Sequence, residues 1–262
     1  MTGICLKAAA IVALCLSWTG AQTFEVASIK PHGNIADTNM SINDAPGGQL
    51  NCTNVSLQML VGYAYDVREY QMLNVPAWAE TERYDLLAKP SAEDATHEPP
   101  RHSAAETALN RKRTQALLAD RFGLKVHEEQ REMPVYSLVV AKGGPKLPIS
   151  TTNTPFPQMS WNNTRVQCKK VTMQRFAQVM LASRMGRYVI DNTGLAGEYD
   201  FTMTFQPDEA APKEIGATSA AVTSAGPTFL TALKEQLGLQ LVGARGPAPV
   251  LVIDHAEKPS GN

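Results

Sequence analysis

The sequence predicts an α+β fold built from two pseudo-repeats of strand–helix–strand–strand–helix–strand–strand, packed about a pseudo-twofold axis. The first observation is that the pattern of residues 116–126 (ALLADRFGLKV) is repeated in residues 231–241 (TALKEQLGLQL). The second observation is that the apolar run beginning at Pro134 is repeated in the run beginning at Pro249. Both matches have one offset, since 238 − 123 and 249 − 134 each equal 115. We interpret this as a duplicated unit.

The composition is that of an ordinary globular protein, with 262 residues, 44% hydrophobic and 19% charged. This length allows one large domain or two small ones. The formal net charge is −1. We therefore expect no nucleic-acid partner and no attraction to an anionic membrane surface.

Residues 1–21 are predicted to be a signal peptide. Lys7 precedes an apolar run at 8–18 that is too short to span a bilayer as a stable helix. Small residues end this segment, so cleavage is expected after Ala21. The alternatives are an uncleaved anchor and lipidation at Cys15, although the residue before that cysteine is too large for a lipidation motif. The sequence thus predicts a periplasmic or secreted protein with no stable membrane span after cleavage.

The first repeat is predicted to span residues 22–142. Its strands follow from alternating apolar and polar residues, and its first helix from a capping serine, Ser56, followed by apolar residues at helical spacing. Strands are predicted at 24–30 and 49–53, followed by a helix whose buried face carries Leu57, Leu60, Val61, Ala64 and Tyr65. Strands at 71–75 and 84–88 come next, with a turn at 76–78 between them. A mobile Pro-rich linker at 90–101 then leads to a helix that stops at Gly123 before two strands.

A linker at 143–163 is predicted to separate this copy from the second repeat at 164–262. Thr172 caps a helix whose apolar spacing is identical to that of the first repeat. The remaining elements are strands at 188–190 and 199–203, a mobile linker at 207–226 and a helix that stops at Gly238 before two strands. Both helix-stop glycines are expected to need a positive φ.

Two cysteines, Cys52 and Cys168, are left after signal cleavage, and 168 − 52 = 116 places them at equivalent positions of the repeats. Two helices cover only one face of a sheet, so we expect the copies to pack together. Equivalent positions lie close together only near the symmetry axis. Because export favours oxidation, we predict a disulfide between them; the alternative is two separate buried thiols.

Several segments of the mature chain are specific enough to indicate a family. They are 24–31 (FEVASIKP), 118–122 (LADRF), 136–147 (YSLVVAKGGPKL), 186–187 (GR), 191–201 (DNTGLAGEYDF) and 252–262 (VIDHAEKPSGN). On these residues the sequence resembles an uncharacterised exported family common in soil-dwelling acidobacteria. The resemblance implies export and carries no assigned activity. Related domains occur beside a membrane-bound sensor-type metallopeptidase region, which implies a sensing role as one alternative.

Motifs for common catalytic chemistry are missing from the sequence, including Gly-x-Ser-x-Gly, His-Glu-x-x-His and phosphate-binding glycine loops. The best catalytic candidate is Asp254 beside His255, with Glu257 nearby, but no nucleophile accompanies them, and a surface role is favoured. Asp85 and Asp200 each follow a tyrosine in equivalent strands. Their repetition favours an architectural hydrogen bond, and a paired-carboxylate site is the alternative. We predict no metal and no cofactor.

Trp78 and Trp161 lie in or beside predicted loops, where tryptophan can stack on sugars or anchor a partner. Core packing is the other interpretation. The favoured function is a non-catalytic binding or envelope-interaction module whose partner is an envelope protein, a peptide or a glycan. The alternatives are a hydrolase that uses Asp254 and His255 or a carboxylate pair, and a sensor domain that acts with a membrane protein.

Overall fold

The structure is a computed structural model that describes residues 23–33, 37–96, 98–100, 103–207 and 226–259. The predicted signal peptide, the histidines at 97 and 102 and most of the predicted linker at 207–226 lie outside the described residues. Among the described helices, none is both long and apolar enough to cross a lipid bilayer.

The described chain is α+β, as predicted. Its strands are β1 (Val26–Pro31), β2 (Ser41–Ala45), β3 (Gln49–Val55), β4 (Met72–Leu73), β5 (Tyr84–Lys89), β6 (Lys125–Val140), β7 (Gln158–Trp161), β8 (Arg165–Val171), β9 (Val189–Asp191), β10 (Tyr199–Thr204) and β11 (Leu239–His255). Its helices are α1 (Leu57–Tyr65), α2 (Ala77–Thr81), α3 (Ala92–Thr96), α4 (Ala104–Phe122), α5 (Met173–Arg175), α6 (Ala182–Met185) and α7 (Phe229–Leu237), with a π-helical turn at Phe176–Leu181 between α5 and α6.

The chain divides into two compact units. The first unit comprises the described parts of 1–55, 83–122 and 259–262, and the second comprises 56–82 and 123–258. The first contains an antiparallel sheet in the order β1-β5-β3-β2. Phe122, at the end of α4, meets Tyr84 of β5 edge to face with 5.6 Å between ring centroids. This aromatic contact lies in the buried core of the first unit.

A buried ion pair holds the segment after α3 in the first unit. Arg113 of α4 donates to Glu98 at 2.6 Å, and its side chain is 3% exposed. The sequence predicted a mobile linker at 90–101. This expectation was wrong at 92–96, which forms a helix, and at Glu98, whose carboxylate pairs with the buried guanidinium.

The second unit contains two sheets, one in the order β10-β8-β7 and one in the order β4-β11-β6-β9. In the latter, β6 and β11 pair antiparallel along nearly their whole length. The sequence predicted two strands in place of each, with a break near each proline. The break is absent because Tyr136 N–H donates towards β9, to Tyr188 O, so the nitrogen of Pro134, two residues earlier, faces the same side and not β11. Proline therefore costs this ladder no hydrogen bond.

Two further predicted loops contain regular structure. Residues 76–78 were predicted to be a turn, but Pro76 instead precedes α2, where its missing N–H removes no helical bond. The predicted linker at 143–163 contains β7, which pairs antiparallel with β8 through a short turn. Asn162 Oδ1 accepts from the backbone of Thr164 and Arg165 and fixes that turn. The linker therefore contributes a strand to the second unit.

The two predicted caps are confirmed. Ser56 accepts from Met59 N–H at the start of α1, and Thr172 accepts from Arg175 N–H at the start of α5. The helix after Thr172 contains the π-helical turn, which the apolar spacing alone did not predict.

The predicted disulfide is not present among the described residues, where Cys52 and Cys168 are free, buried thiols. Cys52 lies opposite Leu86 in the first unit, and Cys168 lies opposite Phe201 in the second. Burial raises the pKa of each thiol to about 12. Because a thiol must ionise to form a disulfide, both residues behave as small apolar core side chains.

Gly123 and Gly238 end their helices with φ values of +56° and +68°, as predicted. At Gly238 a second constraint applies, because an added Cβ would overlap the carbonyl oxygen of Gly144 at 2.0 Å. That carbonyl belongs to the chain after β6, which is held by a bond from Ala141 N–H to Gly238 O. Gly186 ends α6 with a φ of +58° and has open space where a Cβ would be added.

We predict that Gly238→Ala lowers the free energy of unfolding by at least about 3 kcal/mol, because left-handed strain is joined by displacement of backbone. Gly186→Ala is the matched control and should cost about 1–2 kcal/mol, the strain alone. Urea denaturation of both variants measures the difference. Equal losses would show that the contact with Gly144 does not constrain the fold.

Candidate functional site

The candidate site begins with a β-bulge in β8. Val171 pairs with Tyr199 and Cys168 pairs with Phe201, so Lys169 and Lys170 together lie opposite Asp200. Lys170 has a φ of +57°, in the left-handed region. Two residues opposite one define a bulge. Here the side chain of the residue opposite, Asp200, binds the backbone of the bulge.

Asp200 closes the bulge by accepting the Lys170 N–H at 2.7 Å. Its other oxygen accepts from Thr152 Oγ1 at 2.5 Å. Hydrogen bonds from the Ser150 and Thr152 hydroxyls, followed by the Lys170 amide, lower the pKa of Asp200 from 3.8 to about 2. The carboxylate is therefore ionised at neutral pH and already surrounded by donors.

The first unit contains the same arrangement of a carboxylate bound to a bulge residue. Asp85 accepts the N–H of Asn54, a bulge residue with a φ of +54°, at 3.0 Å. Partial burial raises the pKa of Asp85, but hydrogen bonds from Asn54 and His32 outweigh it and leave the pKa below 3.8. This is the architectural hydrogen bond that the repeated aspartates predicted. Each carboxylate is engaged within its own unit.

The bulge determines which side chains of β8 leave the core. Val166, Cys168 and Val171 are buried, whereas Arg165, Gln167 and Lys169 are not. Gln167 lies opposite Ser160 of β7 and Thr202 of β10, so these side chains share one face. We call the outward side of β7, β8 and β10 the outer face. Its side chains are polar, namely Gln158, Ser160, Arg165, Gln167, Lys169, Asp200, Thr202 and Thr204.

Three grooves lie on the outer face and share Gln167. The largest, about 390 Å³, lies at the β10 edge, and the others, about 240 and 230 Å³, follow β7. From Lys169 to Arg165 the face extends about 13 Å along β8, at about 3.3 Å per strand residue. The grooves therefore form one shallow site that suits an extended ligand.

Most of the outward-facing backbone hydrogen-bonding groups of β10 in the largest groove already have partners. Gln236 of α7 bonds both backbone groups of Thr204, accepting at 3.0 Å and donating at 2.7 Å. Asp200 N–H donates to Pro148 O at 3.2 Å. Because outward backbone groups recur every second residue, only the N–H and C=O of Thr202 lie between these two contacts. The open part of the edge is one residue long.

The grooves contain more positive than negative charge. Lys146, Lys169 and Arg165 line them, and Asp200 is the one acidic side chain among the lining residues. Lys146 donates to the neutral carbonyl of Glu235 at 2.7 Å, so its charge is not cancelled there. Within the described residues, Lys169 and Arg165 form no ion pair. The face thus carries a local positive charge on a chain whose formal net charge is −1.

The two tryptophans singled out in the sequence are not equivalent. Trp161 lies at the end of the groove that Arg165 also lines, and it is 47% exposed. Trp78 is partly buried in α2 and is not among the groove-lining residues. Of the two, Trp161 lines a groove, and in the β7–β8 register it lies opposite the buried Val166, one residue after Ser160 of the outer face.

The catalytic candidates Asp254 and His255, for which a surface role was favoured, have separate partners. Asp254 bonds His127 of β6, at 2.9 Å and 3.0 Å from Nδ1 to its two carboxylate oxygens, and His255 lies 4.0 Å from Glu257. Asp254 lies at a register shift of β11, between Ile253 and His255, and its carboxylate is taken by His127 of the neighbouring strand. His127 is 51% exposed, and its hydrogen bond to Asp254 raises its pKa above 6.5. A histidine–carboxylate pair is therefore present, but on an open strand surface.

The part of the chain that the structure describes holds no assembled metal site, and the thiol in the grooves is not activated. No group of three His, Cys, Asp or Glu side chains there is arranged to hold a metal ion. The thiol that lines the largest groove, Cys168, is 1% exposed and has a pKa of about 12. A thiol in that state is a poor nucleophile at neutral pH.

A family model described as "Protein of unknown function (DUF3738)" matches residues 58–256. The chain belongs to the DUF3738 family. The match includes the whole outer face, the His127–Asp254 pair and both long strands of this DUF3738 chain. Neither the curated proteins nor the solved structures gave a match.

Sequence reasoning missed most of the outer face. Gln167, Lys169 and Thr202 carry no motif, and their shared face depends on the bulge at Lys170. A signal was present, because Cys-x-x-Val followed by a helix cap occurs at 52–56 and again at 168–172. Two buried residues spaced by three in a strand indicate a bulge between them.

We predict that the His127 pKa, measured by NMR titration, lies above 6.5 and returns to about 6.5 in Asp254→Asn. The raised value means that the pair contributes stability below the unfolded pKa and that this contribution disappears as pH rises through the folded pKa. Glu257→Gln, beside His255, is the control and should leave the His127 pKa unchanged. An unshifted His127 in the native chain would contradict the observed pairing.

Proposed function

We propose that this protein is an exported, non-catalytic binding module and that its ligand is a polysaccharide lying along the outer face. The observation that carries the proposal is the shared groove system on β7, β8 and β10, which ends at the exposed Trp161. A sugar ring has an apolar C–H face and a rim of hydroxyls. An exposed indole can stack on the apolar C–H face, and amide side chains can donate hydrogen bonds to the hydroxyls and accept hydrogen bonds from them.

The amide and hydroxyl groups of the outer face match this chemistry. Gln158, Gln167 and Gln236 line the grooves together with Ser160 and Thr202. Glutamine supplies two N–H donors and one carbonyl acceptor, so three of them offer hydroxyls both kinds of partner. An extended chain makes use of this row, whereas a small compact ligand would contact only part of it.

Binding without turnover is supported by the state of the acidic group in the groove. Glycoside hydrolysis needs a pair of carboxyl groups, one of them an acid with a raised pKa. Asp200 has a lowered pKa and is surrounded by donors, and it has no acidic neighbour among the lining residues. The groove therefore lacks the acid that sugar cleavage requires.

A peptide added as a strand fits this site less well than a sugar chain. Strand addition uses a run of free backbone groups and pockets for alternate side chains. At β10 the contacts of Pro148 and Gln236 leave only Thr202 open. The outer face has polar side chains where an added strand would need apolar pockets.

We further propose that the repeats meet about a pseudo-twofold axis between β6 and β11. Glu132 pairs with Pro247, and 247 − 132 = 115, the repeat offset, so at this point a residue faces its own counterpart. The short strands support the relation, because β4 pairs with β11 and β9 pairs with β6, each with the other repeat's long strand. A twofold superposition of the second unit's strands in experimental coordinates checks it.

Export is proposed from the apolar run and small residues before Gln22. Sequencing the N-terminus of protein recovered outside the cytoplasm checks this, with Gln22 as the expected first residue.

We predict that the full chain binds at least one polysaccharide from a panel of neutral and acidic chains in affinity gel electrophoresis. Binding should fall at least about tenfold in a variant combining Trp161→Ala with Gln167→Ala, because stacking and amide contacts are both removed. Trp78→Ala, which removes a tryptophan outside the grooves, should bind as the parent does. No reducing ends should accumulate during the incubation.

Binding to none of the chains would overturn the proposal, as would binding that the outer-face variant leaves intact. Release of reducing ends that the variant abolishes would replace it with the hydrolase alternative.

A further inference from the structure

We propose that the polysaccharide bound by the outer face is acidic, with carboxylate groups that contact Arg165 and Lys169. This inference rests on the proposed function and names its ligand class. It starts from the placement of the two cations, which leave the same face of one strand four residues apart. At about 3.3 Å per residue they are separated by about 13 Å of backbone.

The two cations have no competing carboxylate in the grooves. Asp200 is the one acidic lining residue, and its oxygens already accept from Thr152 and Lys170. Arg165 and Lys169 form no ion pair in the described part of the chain. A carboxylate brought by a ligand would therefore meet cations that face solvent. The ionised Asp200 opposite Lys169 offsets part of this attraction, whereas Arg165 has no acidic neighbour among the residues lining its groove.

Lys146 extends the positive charge to the β10 edge of the largest groove. The backbone N–H of Thr202 lies at the same edge and is a donor suited to a carboxylate oxygen. Positive groups thus occur at both ends of the groove system, beside Trp161 and beside Thr202. A chain with acid groups at intervals fits this distribution better than a single small anion does.

The local positive charge of the outer face contrasts with the charge of the whole chain. The whole chain has a formal net charge of −1, so general electrostatic attraction to anionic polymers is not expected. The aromatic Trp161 and the glutamines add contacts that an ion-exchange surface lacks. Acidic-chain binding should therefore need both the cations and the tryptophan.

The test compares polygalacturonate with its fully methyl-esterified form, because the two share a backbone and differ in charge. Binding of the full chain is measured by isothermal titration calorimetry at low salt. We expect polygalacturonate to bind at least about tenfold more tightly than the ester and to weaken at high salt, where exposed charges are screened. The double variant Arg165→Gln with Lys169→Gln should lose about tenfold for polygalacturonate only.

Lys125→Gln is the matched control, since it removes an exposed cation at the start of β6, outside the grooves, and should change the affinity less than twofold. Equal binding of acid and ester, lost in the variant of Trp161 and Gln167, would overturn the acidic inference and leave the proposed function standing. Binding of neither, together with no binding in the wider panel, would overturn both. Acid binding that survives Trp161→Ala unchanged would reveal simple ion exchange and overturn the inference.

Discussion

A carboxylate that holds a left-handed bulge is the interaction on which two of the three described sheets depend. Asp200 accepts the N–H of Lys170, and Asp85 accepts that of Asn54. A non-glycine residue with positive φ is strained, so it persists where something fixes it. The bulge inserts one residue, which allows the cysteine before it and the valine after it both to enter the core. The helix caps Ser56 and Thr172 follow directly after these two bulged strands.

The outer face follows from the same bulge. It leaves Gln167 and Lys169 outward and Cys168 inward in β8. The carboxylate that organises the strand also lines the largest groove, but its oxygens are taken by the strand and by the chain at 150–152. The one acidic side chain among the groove-lining residues therefore has a structural role. In the proposed function, the surrounding amides, the exposed Trp161 and the cations contact the polysaccharide.

Much of the fold was predictable, because its signals are local. Helix caps, apolar spacing and glycine stops predicted α1, the end of α4 and α7. The predictions that were wrong concern partners distant in sequence. Pro134 continues a strand because its nitrogen faces away from β11, and the segment after α3 is held by the ion pair of Glu98 with Arg113 of α4. The disulfide was expected from equivalent positions, but Cys52 and Cys168 each face an apolar partner inside their own sheet.

The site was less predictable than the fold, since it has no motif. Trp161 was singled out, and the repeated aspartates were correctly given an architectural role. The catalytic alternative of Asp254 with His255 was not apparent as a cross-strand contact, because the Asp254 carboxylate binds His127, which lies opposite Val252 on the neighbouring strand. The polar residues that line the grooves lie on three strands. The sequence pattern within any one strand does not show that these residues meet.

The pKa of the Asp200 carboxyl, followed by its carbon chemical shift in NMR across an acid titration, tests the account most directly. A carboxylate that holds the bulge should titrate at about 2, below the ordinary 3.8. Its contribution to stability is then present above the unfolded pKa and disappears as pH falls through about 2. A value at or above 3.8 would show that the carboxylate is not engaged by the bulge. It would then be available as an acid in the groove, and the case for a non-catalytic site would fail.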